Sequence, residues 1–401
     1  MKKFFILFYV LLISCSTNQN KKDLTLDGDY YIIDLDGEKE PSISLSSLFK
    51  NIRTIILESD KECMIGQISD FQCSDEYIFI LDSRKAKSLF VFDIEGKFIR
   101  KIGGIGRGPG EYVEVNAFTL DTENHMIYLR VQRNIIYKYK FDGTFIHSFM
   151  IQEPKGNAGF IQFYKGRLYS TFLGWKTSED DYLLLEIDPN NGKALSRSLS
   201  IQYNKGWNEE FYHQFSKFFM SRANNPPRYN QMFMDYIVSI GKEITPYIEL
   251  KSKNLTTERD IKSFRDDSGN PNSTNILMSS KLFNVNCFIE NDDFICFRYG
   301  MSNSSFTVIF FKKTGDVKLT NFLINDMIFK NDQRGQLGQF VFSDSKGAYV
   351  IMDTQTNIFN DFQNALNQNE IVPDLDKLEQ LKGLDEDANP VIFYYEFKDA
   401  E

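Results

Sequence analysis

The sequence predicts an all-β fold, a six-bladed β-propeller of four-stranded antiparallel blades with a helical insertion near the C-terminus. Three observations carry this. Phe and Tyr supply 37 and 20 of the 401 residues, and aromatic rings favour the packed, pleated surface of strands. An apolar strand, a short polar turn and a second strand rich in aromatic and branched residues recur six times. Two hairpins per unit make four strands in about 40–50 residues, the length of a propeller blade. A pair of β-sandwiches also uses short strands and glycine turns, but it lacks this repeat length.

The hairpins fall at residues 71–81, 117–129, 160–172, 231–240, 285–298 and 340–352. Ile78, Ile127, Leu168, Ile237, Phe294 and Ala348 are the equivalent positions, spaced 49, 41, 69, 57 and 54 apart. A second hairpin, with glycine in its turn, follows several of them, at Gly96, Gly143, Gly192 and Gly315. Glycine supplies the positive φ that such turns require. Residues 202–230 and 252–281, rich in Asn, Pro and charge, read as insertions and account for the long intervals.

Near the C-terminus the apolar period changes. Ile358, Phe362, Ala365 and Leu366 keep helical spacing, and Leu375, Leu378 and Leu381 continue in steps of three. Residues 391–397 then read as the third strand of the last blade, with its outer strand supplied by residues 54–57. Such pairing of the chain ends removes an open sheet edge that would invite aggregation.

Hydrophobic residues are 42% and charged residues 25%, the balance of a folded globular chain. With 55 acidic against 46 basic side chains, the net charge is −9 and no polybasic block offsets it. A phosphate backbone would be repelled, so nucleic acid is excluded as a partner.

Residues 1–14 have a cationic start, Met1-Lys2-Lys3, followed by an apolar run. That is a secretory signal, too short to cross a bilayer of about 30 Å as a helix. Leu12-Ile13-Ser14-Cys15 matches the bacterial lipobox, in which the Cys sulfur receives a diacylglycerol before cleavage. Cys15 is then the first mature residue and the lipid attachment site, residues 15–29 are a polar tether, and residues 30–401 are a single propeller domain. Ser16, rather than an acidic residue, favours the outer membrane of the cell envelope.

The stretch from Phe98 to Tyr112, FIRKIGGIGRGPGEY, resembles an NHL-type repeat: a strand ending in Gly, a Gly-rich loop, Pro-Gly, and an aromatic residue opening the next blade. With the lipobox, residues 30–398 resemble the six-bladed propeller lipoproteins abundant in Bacteroidota, a family mostly of unassigned function. Related propellers gather His around a metal, as in amidating lyases, or Glu, Asp and Asn around calcium, as in lactonases. The resemblance therefore implies a fold and a location more than an activity.

The local chemistry is sparse. Residues 103–110 lack the Lys and Ser or Thr of a Walker loop, and residues 112–120 read as strand, not as the helix of a dinucleotide fingerprint. His125, His147 and His213 sit in dissimilar repeat positions, and no zinc-ligand spacing occurs. No metal site is assigned, and calcium is the one cofactor left open. Gln67, Glu114, Asn116, Asn157, Asn230, Asn284, Asn286 and Gln336 lie at the entrances to inner strands. Such a ring either hydrogen-bonds a glycan or peptide or solvates a water-filled channel.

If Asn291-Asp292 is a two-residue turn, Cys287 faces Cys296 at a non-hydrogen-bonded pair, and a disulfide or two buried thiols follow. Cys63 and Cys73 form a second candidate pair. Trp175 and Trp207 offer stacking surfaces or cover small insertion cores.

The expected protein is a monomeric, membrane-tethered propeller that binds a glycan, peptide or protein partner; the rival is a calcium-assisted lactonase or hydrolase at the channel. Cys15→Ala should release the chain from membranes, and labelled palmitate should enter only the unmutated protein. Absence of label from the unmutated chain would remove the lipid anchor from this account.

Overall fold

The computed structural model describes residues 29–399 except 133, 153–156, 174–181, 201–217, 220–225, 271, 332–334 and 336. Six antiparallel sheets of four strands form the blades of a propeller. Blade 1 comprises Asp70–Cys73, Tyr77–Asp82, Ser88–Asp93 and Phe98–Ile102. In blade 2 the strands are Ala117–Asp121, Met126–Gln132, Ile135–Lys140 and Phe145–Met150. Blade 3 uses Asn157–Tyr164, Arg167–Leu173, Tyr182–Ile187 and Ala194–Ser200. First strands of consecutive blades run side by side, Ala117–Asp121 against Asn157–Tyr164, so they form the inner wall.

Middle strands read as unbroken apolar runs because each blade is covered on both faces. In Ser88–Asp93 five of six residues are buried, with Leu89 and Val91 against blade 2 and Phe90 and Phe92 against blade 6. The outer strand Phe145–Met150 has no full cover, and its side chains are mostly exposed or half-buried. Burial of a Leu or Phe side chain contributes about 1.5–3 kcal/mol, so the interblade layers dominate stability.

Blade 4 differs from the sequence expectation. Its order is Phe218–Phe219, Arg228–Tyr229, Tyr236–Ile240 and Ile244–Lys251, so Ile237 lies in the third strand and not in the second with Ile78. The two inner strands have only two residues each, which leaves the outer hairpin as the stronger apolar signal. Residues 202–230 therefore contain half of a blade rather than an insertion alone. Met232 and Phe233, between the second and third strands, join Ile261, Phe264, Ile276 and Phe283 in a small core over the 252–281 insertion. That insertion carries two short helices, Glu258–Ser263 and Ser273–Met278.

Blade 5 comprises Val285–Glu290, Phe294–Met301, Ser304–Phe311 and Val317–Thr320. Blade 6 is Phe340–Ser343, Gly347–Met352, Val391–Phe397 and, from the other end of the chain, Phe49–Ile56. The closing register runs from Val391 opposite Ile56 to Phe397 opposite Phe49. Phe49 stacks on Phe397 with ring centroids 5.5 Å apart, and the Lys398 amide donates to the Leu48 carbonyl at 3.1 Å. Asn389 fastens the same joint: buried, it accepts from the Ile65 amide at 2.8 Å and donates to the carbonyls of Glu58 and Cys63.

Ahead of this strand the N-terminal segment makes contacts the sequence did not announce. Tyr31–Asp34 adds a fifth, parallel strand to the outer edge of blade 4, and Lys39–Glu40 does so on blade 5. Ile43–Ser44 pairs with Leu323–Ile324. Residues 31–56 thus strap three successive blades.

The expected helical insertion lies between the second and third strands of blade 6, as Asn357–Asn367 and Leu378–Lys382. Phe359, Phe362, Ala365 and Leu366 face the core, whereas Ile358 is exposed, a one-residue shift of the predicted stripe. Among the described residues no helix is long and apolar enough to cross a membrane.

Blades 4 and 5 are joined by a buried ionic cluster. Arg228 Nε donates to Glu290 Oε1 at 2.9 Å, its Nη1 donates to Ser239 Oγ at 2.6 Å, and its guanidinium lies 3.4 Å from the centre of the Tyr247 ring. Tyr247 donates to Glu290 Oε2 at 2.7 Å, and Lys312 Nζ lies 3.5 Å from the same oxygen. Burial, then the neighbouring Glu290 charge, raises the Tyr247 pKa and keeps the phenol protonated as a donor. Glu290→Ala leaves the buried Arg228 and the half-buried Lys312 without their shared anion. It should lower the unfolding free energy by about 3–5 kcal/mol, measured by urea denaturation, since breaking one side of a buried pair strands the other.

Candidate binding site at the channel mouth

Because all six inner strands run in the same sense, their first residues gather at one mouth of the ring. Gln67 is exposed there and its amide donates to Asp82 Oδ2 at 3.0 Å. Asp82, fully buried at the end of the second strand, also accepts the amides of Gly66, Arg84 and Lys85 at 2.8, 3.1 and 2.8 Å. One carboxylate thus pins both the entry loop and the following turn of blade 1.

On blade 2 Glu114 is exposed and Asn116 half-buried, with the Asn116 amide donating to the Arg130 carbonyl at 2.8 Å. Burial lowers the Arg130 pKa to about 10, against the opposing pull of Glu114, so the guanidinium stays charged at neutral pH. Asn157 opens the inner strand of blade 3. Asn230 does not join this rim: buried, it donates to the carbonyls of Tyr236 at 2.7 Å and Met234 at 3.3 Å and clasps its own turn. Gln336, Trp175, Trp207, His213 and Cys15 lie outside the described residues.

Blade 5 holds the least compensated part of the mouth. Asn286 pairs in register with Arg298, and Arg298 with Thr307, so the three lie on one face of the sheet. Asn284 Oδ1, Asn286 Oδ1 and Arg298 Nε are buried atoms with no hydrogen-bond partner among the described residues. Buried polar atoms are nearly always paired, which makes three in one corner a feature to explain. A Cβ at position 300 would collide first with the Phe283 ring and come within 2.9 Å of Asn284 Oδ1, so glycine there leaves room for both.

The cysteine register differs from expectation. The turn closes by the Asn291 amide donating to the Phe294 carbonyl, Glu290 pairs with Ile295, and Ile289 stands opposite Cys296. A bulge between Asn286 and Ile289 moves Cys287 out of the ladder, at φ 54°, and its thiol donates to Gln339 Oε1 at 3.1 Å. Both cysteines are free thiols, as are Cys63 and Cys73. Burial, with a smaller push from Cys287, raises the Cys296 thiol to about 12, so it stays protonated and inert.

The Gly-rich loop closes on itself. Gly104–Ile105 pairs in parallel with Glu111–Tyr112, the Tyr112 hydroxyl donates to the Ile102 carbonyl at 2.8 Å, and Tyr139 donates to the Gly110 carbonyl at 2.7 Å. Gly103 has φ +68°, and a Cβ there would sit 2.7 Å from both the Tyr112 ring and the Tyr139 hydroxyl. The strand expected over 112–120 breaks at 113–116 and resumes at Ala117. His125 packs edge-on against Phe141 at 5.2 Å, and His147 Nε2 lies 3.1 Å from the Asn190 carbonyl. Among the described residues no three His, Cys, Asp or Glu side chains form a metal cluster.

On the opposite face a cavity of about 660 Å³ is lined by Lys50, Arg53, Asp344, Lys346, Tyr349 and Tyr394 among others. Its central carboxylate is already engaged. Asp344 accepts both tyrosine hydroxyls, at 3.2 and 3.1 Å, and the amides of Lys346 and Gly347. Lys50 pairs with Asp399 at 2.7 Å and Arg53 with Glu95 at 3.7 Å. Internal satisfaction makes this face a weaker ligand site than the blade 5 corner.

The chain belongs to the family described as domain of unknown function DUF4934, which matches residues 30–396. No curated protein matches it. A crystal structure of a Bacteroides fragilis NCTC 9343 protein described as exported is similar at TM-score 0.70 and 14% identity, over 92% of this chain and 100% of that one. A DUF4221 family member from Bacteroides vulgatus ATCC 8482 is similar at TM-score 0.52 and 11% identity, over 87% and 97%. Both likenesses concern the propeller fold.

Asp82 gives the local test of the mouth's rigidity. Asp82→Ala strands four backbone amides and should cost about 1–3 kcal/mol. In hydrogen exchange, residues 66–67 and 84–85 should lose protection first, ahead of the rest of blade 1.

Proposed function

We propose that this member of the family is a lipid-anchored binding module of the bacterial outer membrane, presenting its channel mouth to a glycan or protein partner. The observation that carries this is the uncompensated polarity of the blade 5 corner, where Asn284 and Asn286 keep buried oxygens without donors. A site built only for stability would pair or replace them. Location draws support from the cationic and apolar residues 1–14 with Cys15 behind them, and from the likeness to an exported protein. The NHL-like reading of residues 98–112 draws support from the glycine turn that Tyr112 and Tyr139 fasten.

The tether suits this role. Tyr31–Asp34, the first described strand, lies on the outer edge of blade 4, away from the inner strands that line the mouth.

The mature protein should capture glycans or envelope proteins in array and pull-down experiments, and Asn286→Ala should weaken that capture. Its melting temperature should not respond to calcium. Stabilisation by micromolar calcium, reversed by chelator and abolished by Glu114→Gln, would instead favour the calcium-assisted hydrolase.

A further inference from the structure

Arg298 and Arg130 occupy the same position in different blades. On each second strand, alternate residues face the following blade: Tyr128 packs towards blade 3 and Cys296 towards blade 6. Arg130 and Arg298 come two residues later on those same faces. At the equivalent position blade 1 has Leu81, blade 3 Thr171 and blade 6 Ile351. Propeller architecture therefore does not require a guanidinium here.

The two arginines differ in their company. Glu114 acts on Arg130 as a nearby counter-charge. Arg298 has no hydrogen-bond or ion-pair partner among the described residues, and its Nε is buried. Arg298 is half-buried, and an unpaired Nε sealed from solvent carries a desolvation cost; retaining it where an apolar residue would serve marks a group reserved for a ligand. The chain also shapes the surroundings. A bulge at residues 287–288 directly follows the Asn286–Arg298 pair, and bulges of this kind re-aim side chains beside binding sites.

We infer that Arg298, Asn286 and Asn284 form a binding site for a carboxylated sugar, a hexuronic acid within a glycan. This deepens the glycan-binding reading above and rests on it. The guanidinium takes the carboxylate, for which its planar fork is matched. Asn284 and Asn286 lie two residues apart, about 7 Å along an extended chain. Their oxygens are sealed, so it is the side-chain NH₂ groups that donate to ring hydroxyls on the same sugar. A peptide carboxylate would engage the guanidinium, but one uronate ring carries a carboxylate and several hydroxyls within the roughly 7 Å that separates the two amides.

Calorimetric titration of the mature protein with galacturonate oligomers, neutral galactose oligomers and trialanine tests this. The uronate should bind, and Arg298→Gln should weaken it at least about tenfold, the scale of one lost charge-assisted hydrogen bond. Without ligand, Arg298→Met should raise the melting temperature by about 1–2 °C, because it removes the sealed, unpaired Nε. A purely structural arginine would lower it.

Equal binding by Arg298→Gln, or destabilisation by Arg298→Met, would overturn the assignment. So would preference for the neutral sugar or the peptide, although either would leave the binding module standing. Failure of every probe, together with no capture of glycan or protein by the unmutated chain, would overturn both.

Discussion

Everything in this fold depends on eight residues near one end of the chain pairing with seven near the other. Phe49–Ile56 completes a sheet whose remaining strands come from residues 340–397. Until that pairing forms, blade 6 has an open edge and the ring has no reason to stay closed, since each blade is stabilised by cover on both faces. The joint is correspondingly apolar: Phe49 touches Phe294, Phe340, Tyr395 and Phe397, all buried. Closing so long a loop costs entropy that grows only logarithmically with length, so a modest aromatic cluster is enough to offset the extra distance. The strap over blades 4 and 5 follows from the same joint. Once residues 49–56 are fixed, the segment ahead of them must cross the neighbouring outer edges, and it covers them with short parallel strands.

How much of this was legible follows from how each signal is encoded. Blades 1, 2 and 3 announce themselves because their middle strands are long, aromatic and buried on both sides, and Gly96, Gly143 and Gly192 adopt positive φ at the turns. Blade 4 is opaque because its inner strands are two residues long and its turn residues Met232 and Phe233 are as apolar as any strand. The strap is hidden for a related reason: four- and two-residue strands carry no period to detect. Ring closure was legible at its core, residues 54–57 against 391–397, but not in its full length from Phe49.

Site residues obey a harsher rule. Asn284 and Asn286 could be named because amides clustered ahead of a strand. Arg298 could not, since an arginine within Phe294–Met301 reads as an ordinary outward residue until the register is known. A turn centred one residue later, on Asp292-Asp293, and the bulge after Asn286 decide that register and separate Cys287 from Cys296. Asp82 and Asn389 escaped for the same reason. Their importance lies in how many amides and carbonyls from distant segments converge on one side chain, which is a property of the assembled ring.

Blade 5 presents its two neighbours with opposite solutions to one problem. Against blade 4, Arg228 is buried but finds Glu290, Ser239 and the Tyr247 ring, so its charge is spread over a hydrogen-bonded cluster that locks the two sheets. Towards blade 6, Arg298 has neither carboxylate nor ring, and the amides beside it keep unpaired oxygens. Pairing is therefore available to this chain, and its absence at the mouth is not forced by topology: blades 1 and 6 carry Leu81 and Ile351 in the same position. Where one fold satisfies a buried cation at one interface and leaves its counterpart open at the next, stability alone cannot have selected both. The satisfied cluster sits where two blades must not part, and the open one where the inner wall meets solvent.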